Sequence, residues 1–222
     1  MNPSCQNRRE ERRLVRRREI LDVAQRYFLD HGFADTSMSA IASRCGGSKT
    51  TLWSHFPSKG ALFGAFVDQR VRAFSDALDE ALLKGSTTEA ALTRFGRVFL
   101  SKILSEEARA IRRLIIAEGH RFPDLARTFY ESGPMRTRLR LARFIATKME
   151  ANLLRPGEAD LAARQFLSLC EAGCLRDDLM HALDARSVDL EREVASAVEA
   201  FMRIWSPGNR GHSLVTLQTS TV

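Results

Sequence analysis

The 222-residue chain reads as an all-α protein, and three observations lead there. Apolar residues recur at intervals of three and four along most of its length, the spacing that gathers them on one helical face. The strict alternation expected of strands occurs nowhere in the sequence. Glycine, proline and hydroxyl residues fall between the periodic segments, where helices stop and start. With 44% hydrophobic residues and a mean hydropathy of -0.23, the chain has material for a substantial core in water.

Taken in order, the first long helix runs from a cluster of arginines to His31. Ile20, Ala24, Tyr27 and Phe28 form its buried stripe, and Gly32 ends it. Thr36 or Ser37 then caps a short helix whose Met38, Ile41 and Ala42 face inward. Cys45, Gly46 and Gly47 stop that helix, and Ser48 caps a second one. The second helix carries Leu52 inward and Lys49, Thr50, Thr51, Trp53 and Ser54 over the rest of its surface. Two short helices around a glycine turn are helix-turn-helix punctuation. The second is polar and free of acidic residues, so it suits the negatively charged major groove. An ordinary exposed helix would show the same features.

After Phe56 and Pro57, Ser58 caps a long helix reaching about Leu83, with Leu62, Phe63, Phe66, Val67, Val71, Phe74 and Leu78 at helical spacing. Gly85 marks a break between Lys84 and Thr88. The period resumes with Leu92, Phe95, Val98, Phe99 and Ile103, then Ile111, Leu114 and Ile115. Gly119 and Pro123 divide one helix from a short successor, and Gly133 with Pro134 ends that one before Leu139, Leu141, Phe144, Ile145 and Met149. Pro156 and Gly157 make a turn, and Leu161 to Leu183 form one helix or two consecutive pieces. Ser187 can cap the last helix, which places Leu190, Val194, Ala197, Val198, Phe201 and Ile204 on one face. The polar, aperiodic stretch from Pro207 to Val222 is expected to be a disordered tail, and its Ser220, Thr221 and Val222 match a short peptide-ligand pattern that chance explains.

Charge is concentrated at one end. Residues 1 to 60 hold 11 Lys and Arg against 6 Asp and Glu, whereas the remainder holds 23 against 21. Arg8, Arg9, Arg12, Arg13, Arg16, Arg17 and Arg18 precede the first apolar face. They form either a mobile cationic arm for phosphates or a solvated, partly helical leader in which Glu10, Glu11 and Glu19 pair with some of them.

The run from Ile20 to Phe63, through Ala24, Phe28, Gly32, Phe33, Thr36, Ser37, Met38, Ile41, Ala42, Gly46, Ser48, Leu52, Trp53, His55, Phe56, Lys59 and Leu62, resembles the DNA-binding domain of TetR/AcrR transcriptional regulators. The resemblance places Ser48, Lys49, Thr50 and Thr51 on a recognition helix, puts Trp53 where the family usually has Tyr, and sets His55 and Lys59 at phosphate contacts. The DNA-binding set is then Thr36, Ser37, Ser48, Lys49, Thr50, Thr51, Trp53, Ser54, His55 and Lys59. Gly47 departs from the pattern, which has a small apolar residue there to anchor the turn.

The segment Leu114 to Pro134, with Glu118, Phe122, Pro123, Leu125, Phe129, Tyr130, Gly133 and Pro134, resembles the C-terminal domain of AefR-like members of the same family. Together these resemblances imply a basic arm and helix-turn-helix head over residues 1 to 57, a helical ligand-binding and dimerisation domain over 58 to 206, and the tail over 207 to 222. The head and body would be joined by the long helix, with about nine to ten helices in all. They also imply a homodimer built through the last two helices, where small Ala and Gly residues allow close approach.

Phe95, Phe99, Phe122, Phe129, Tyr130, Phe144 and Phe166 are candidates to line a ligand cavity or to form plain core. Glu118, His120 and Arg121 are the polar groups nearest them in sequence, able to orient a ligand or to finish a helix end. Cys170 and Cys174 lie on one helical face with Asp177, Asp178 and His181 beyond, which fits a metal or redox sensor or two buried small hydrophobes. The four cysteines form no disulfide framework or zinc-finger spacing. No catalytic motif is present among the five scattered histidines and their neighbours.

No apolar run approaches the roughly 18 residues of a membrane span, and the arginine-rich start has no apolar stretch behind it, so a cytoplasmic protein is expected. The sequence therefore predicts a transcriptional regulator without catalytic residues, cofactor or metal. It would be a repressor that binds a palindromic operator in double-stranded DNA as a dimer and is released by a small, largely apolar effector. The alternatives are an activator or a ligand-independent regulator, a helical small-molecule-binding protein without specific DNA binding, and a basic helical adaptor for an acidic partner.

Overall fold

The computed structural model describes residues 3–46, 48–84, 86–172, 174–179 and 188–208, and every regular element among them is helical. The order is α1 (Pro3–Asp35), α2 (Met38–Arg44), α3 (Lys49–His55), α4 (Lys59–Leu83), α5 (Thr88–Ile103), α6 (Glu106–Glu118), α7 (Pro123–Ser132), α8 (Pro134–Glu150), α9 (Ala159–Glu171), α10 (Cys174–Leu179) and α11 (Leu190–Trp205). No described helix is long and apolar enough to cross a membrane.

Local chemistry explains most boundaries. Gly32 interrupts α1 with φ 79°, a left-handed conformation that a side chain would disfavour. Backbone amides of Ala40, Thr51 and Ala61 donate to the hydroxyls of Ser37, Ser48 and Ser58, at 3.5, 3.1 and 3.0 Å, so each of those serines opens its helix. Pro123 occupies the first turn of α7, where its missing N–H is no loss.

Three boundaries differ from expectation. The apolar period ran unbroken past residue 103, but Ser105 accepts from Ala108 N at 3.3 Å and begins α6 there without help from glycine or proline. Asp189 caps α11 through the Arg192 amide at 3.1 Å, in the role expected of Ser187, which lies outside the described residues. At the other end, the arginine cluster is no mobile arm, because α1 runs through it as helix. Gly47, Gly85, His181 and the tail from 209 onward lie outside the described residues.

The packing forms two compact units, which do not coincide with a division after Pro57. One unit takes the described residues up to Asp76 together with Lys102–Thr137; the other takes Ala77–Ser101 and the described residues from Arg138 on. In the first, Ile20, Ala24 and Phe28 of α1 meet Ile41, Leu52, Phe63 and Phe66, joined by Ile111, Leu114 and Leu125 from α6 and α7. Edge-to-face and stacked rings fill its centre: Phe28 lies 5.3 Å from Phe63 and 5.7 Å from Phe33.

In the second unit α9 packs along α11, and Phe166 meets Phe201 at 5.3 Å edge-on. Gly96 permits a close helix approach there: a Cβ on it would stand 3.0 Å from Val194 Cγ1 and 3.7 Å from Cys170 Sγ. The face of α11 bearing Val194, Ala197, Val198 and Phe201 is thus consumed by its own unit, while Ile204 is 40% exposed, so the six apolar residues do not form one free stripe.

Phe201 makes the energetic weight of that face measurable. Phe201→Ala should cost about 3–5 kcal/mol of folding stability. Urea unfolding reads the loss directly, and a change under about 1 kcal/mol would mean that the ring is not packed as described.

Candidate nucleic-acid interface

The surface of α3 is set by its helical register. Leu52 is buried against the first unit's core, and Lys49, Thr50, Trp53 and Ser54 share the opposite, exposed face, with Trp53 47% accessible. Not every hydroxyl on the helix is free to meet a ligand. Ser48 and Thr51 bond to one another at 2.9 Å while Ser48 caps the helix, and Ser54 donates to Thr51 O at 2.8 Å. The outward chemistry is therefore one ammonium, one free hydroxyl with its methyl, an indole face and a serine already tied to its own helix.

Arginines of α1 hold the turn between α2 and α3. Arg16 donates from Nη2 to Cys45 O at 2.7 Å, which satisfies a carbonyl at the end of α2, and it pairs through Nη1 with Glu19 at 2.8 Å. The Arg17 guanidinium stands over the Phe56 ring at 4.5 Å, just past the end of α3. His55, half-buried on α3, is pushed below the usual histidine pKa by burial and then by the charges of Arg13, Arg17 and Arg16. Both influences favour its neutral form.

Two residues of the expected DNA-binding set, and one of the expected ligand set, bond to the protein itself. Thr36 is 3% exposed and its hydroxyl donates to Gly32 O at 2.6 Å, with Tyr27 O at 3.0 Å as a second acceptor. Lys59 directs its ammonium to the carbonyls of Phe33, Ala34 and Thr36 at 2.6, 2.9 and 2.9 Å, which occupies all three of its N–H donors. Burial is the largest influence on that ammonium and lowers its pKa, while Glu118 and Asp35 act to raise it. Glu118, expected beside a ligand, accepts from Phe33 N at 2.5 Å and Ala34 N at 2.7 Å. Ser37, which caps α2, stays exposed beside α3.

The proposed ligand-lining aromatics are divided between the two units. Phe122 and Phe129 pack on the first unit's core, Phe122 5.0 Å from Phe33, and Tyr130 is largely exposed. Phe95, Phe99 and Phe166 are buried in the second unit, with Phe95 6.2 Å from each of the other two, and Phe144 is half-buried beneath Lys148. Two open cavities of about 530 and 730 Å³ have none of these aromatics in their walls. His120 and Arg121 are exposed, and the Arg121 guanidinium lies over Phe122 at 5.2 Å.

Cys170 is buried beside Gly96, and burial pushes its thiol up to about 12, so it stays protonated and unreactive at neutral pH. Among the described residues no three His, Cys, Asp or Glu side chains converge on a metal position. The roles of Glu118, Lys59 and Arg16 escaped the sequence reading because each binds backbone groups 23 to 85 residues away, and only Gly32 left a local trace.

Comparisons with known proteins identify the chain's relatives. The family model described as bacterial regulatory proteins, tetR family, matches residues 20–66, and that of the AefR-like transcriptional repressor, C-terminal domain, matches residues 90–207. A TetR-family transcriptional regulator of known structure from Mesorhizobium loti is 30% identical, with a TM-score of 0.78 over 88% of this chain and 98% of that one. The flavonoid-responsive regulator FrrA is 34% identical, with a TM-score of 0.73 over 87% of this chain and 98% of that one. The HTH-type transcriptional activator FasR of Mycolicibacterium smegmatis is 37% identical over 82 residues, which span 36% of this chain and only 37% of that protein.

The bonds of Glu118 can be tested without DNA. Glu118→Ala leaves two backbone amides without their acceptor and should cost about 1.5–3 kcal/mol, with Glu118→Gln intermediate. Gly32→Ala should act on the same contact, since its Cβ would stand 2.5 Å from Glu118 Oε1 at a left-handed φ. Additive losses in the Gly32→Ala, Glu118→Ala double variant would argue against a shared contact.

Proposed function

The chain belongs to the TetR family of bacterial regulatory proteins, DNA-binding transcriptional regulators rather than enzymes, and from that membership we propose that it binds a palindromic operator as a homodimer and represses transcription until a small, largely apolar effector releases it. The observation that carries the reading is the exposed face of α3, where Lys49, Thr50, Trp53 and Ser54 stand free of acidic neighbours on a helix capped by Ser48. Thr50 supplies a hydroxyl and a methyl, the groups that meet base edges and thymine methyls in a major groove. Thr36 and Lys59 act here as positioning residues for that helix, and Ser37, Thr51 and His55 border it.

A single short helix covers too few base pairs to define one site in a genome, and a two-fold dimer answers this by reading two half-sites. The outward side of the α9 and α11 pair supports such an interface: Leu161 and Ser168 on α9, Ala172 just past its end, and Ser196, Ala200 and Ile204 on α11 are small or apolar and lie away from the buried stripe. The effector reading is supported by FrrA, whose name records a response to flavonoids. FasR, an activator by name, favours activation as the second reading of the same DNA-binding head. In either case the protein would act in the cytoplasm, where its DNA is.

Selection of bound duplexes from a random pool tests the reading: an enriched palindrome is expected, and retention of unselected sequences would remove it. On the enriched duplex, Lys49→Ala should weaken binding by about 1–3 kcal/mol if it reads a base, or flatten the salt slope by about one unit if it touches phosphate. Ile204→Asp should yield a folded monomer by light scattering and lose specific binding with it. An intact dimer would move the interface elsewhere.

A further inference from the structure

The arginine-rich turns of α1 precede residue 20, where the family match begins, so the family's head does not account for them. Their register extends the buried face of the helix. On a helical wheel Arg12, Arg13, Arg16 and Arg17 follow the side that farther on carries Ile20 and Ala24 into the core. Arg16 and Arg17 confirm that orientation, one on Cys45 O and one over Phe56, at the two ends of α3. Arg12 and Arg13 lie one turn, about 6 Å, farther out on the same side and are exposed.

This arrangement is unfavourable for an isolated helix. Four positions on from Arg12 is Arg16, and four on from Arg13 is Arg17. Like charges at this spacing repel and destabilise a helix. Glu19 is already held by Arg16 and relieves neither outer arginine. A like-charged stripe of this kind is stabilised by a polyanion whose charges recur along a line, and its field reaches α3, where His55 is lowered first by burial and then by Arg13, Arg17 and Arg16.

We propose that Arg12 and Arg13, carried on a helical outrigger locked to the α2–α3 turn by Arg16 and Arg17, bind the phosphate backbone of duplex DNA flanking the segment that α3 enters. This rests on the reading of α3 as a recognition helix. It differs from a flexible arm in one respect: the guanidinium groups are held in place before DNA arrives, so binding requires no ordering of this segment.

The test compares wild type, the Arg12→Gln, Arg13→Gln pair, the Arg12→Lys, Arg13→Lys pair and Lys49→Ala in the full chain, on the selected operator and on a random duplex. The Gln pair should lower the salt slope by about two units and weaken both duplexes about 10- to 100-fold near 0.1 M salt, and the Lys pair should restore both values, because counterion release depends on charge. The loss should vanish on a duplex trimmed to the two half-sites. An unchanged slope in the Gln pair, with Lys49→Ala still impaired, would overturn the outrigger and leave the recognition helix standing. Failure of the Lys pair to restore binding would also overturn it, since recognition would then need the guanidinium fork. A lowered slope in the Gln pair together with no sequence preference in wild type would support the phosphate contact and sink the recognition reading instead.

Discussion

Two residues, Phe33 and Ala34, have both their amides on one carboxylate and both their carbonyls on one ammonium. Glu118 receives the two N–H groups and Lys59 donates to the two C=O groups, so the connection between α1 and α2 is gripped from either side by charges from α6 and α4. Charge-assisted bonds to backbone are the stronger kind, and here they fix the last residues of α1, past its break at Gly32. Gly32 makes the grip possible by turning the chain with φ 79° and leaving space where a Cβ would collide with the carboxylate. Thr36 finishes the job from inside, returning its hydroxyl to Gly32 O. The orientation of α2, and of α3 after it, depends on this corner.

From the same corner the first unit's core follows. Phe33 is both the residue whose backbone is clamped and a ring in the aromatic group with Phe28, Phe63 and Phe122, while the Lys59 ammonium stands 4.7 Å from its centroid. A half-buried cation among rings and carbonyls tolerates its partial desolvation because all its donors are used. The carboxylate partner sits on the last residue of α6, so the end of that helix and the end of α1 are one structural feature. The second unit is organised around close helix approach at Gly96 and the Phe166 to Phe201 contact.

What the sequence made legible was whatever is written locally. Helical period, the serine caps at 37, 48 and 58, and the glycine break at 32 were readable because each depends on residues within a turn or so of itself. The Ser105 break was hidden, since apolar spacing ran through it and no glycine or proline announced it. The site was legible in its surface and illegible in its support. Lys49, Thr50, Trp53 and Ser54 came from register alone, whereas Lys59 and Thr36 carry residue types suited to phosphate and are used instead on carbonyls brought near only by folding. The aromatic set shows the same limit: Phe122 and Phe166 both follow the helical period, and only tertiary packing puts one in each unit.

On α3 the residues that build the helix and those that face outward are different residues. Ser48, Thr51 and Leu52 supply cap, hydroxyl pairing and core anchor, and Lys49, Thr50 and Trp53 make none of these contacts. Selection can therefore exchange the outward three without disturbing the scaffold, because surface positions outside caps and core carry small stability penalties. Descendants of this chain could diverge in what they touch while keeping the same fold and the same gripped corner, and a laboratory library confined to those three positions would explore new binding preferences at almost no risk to folding.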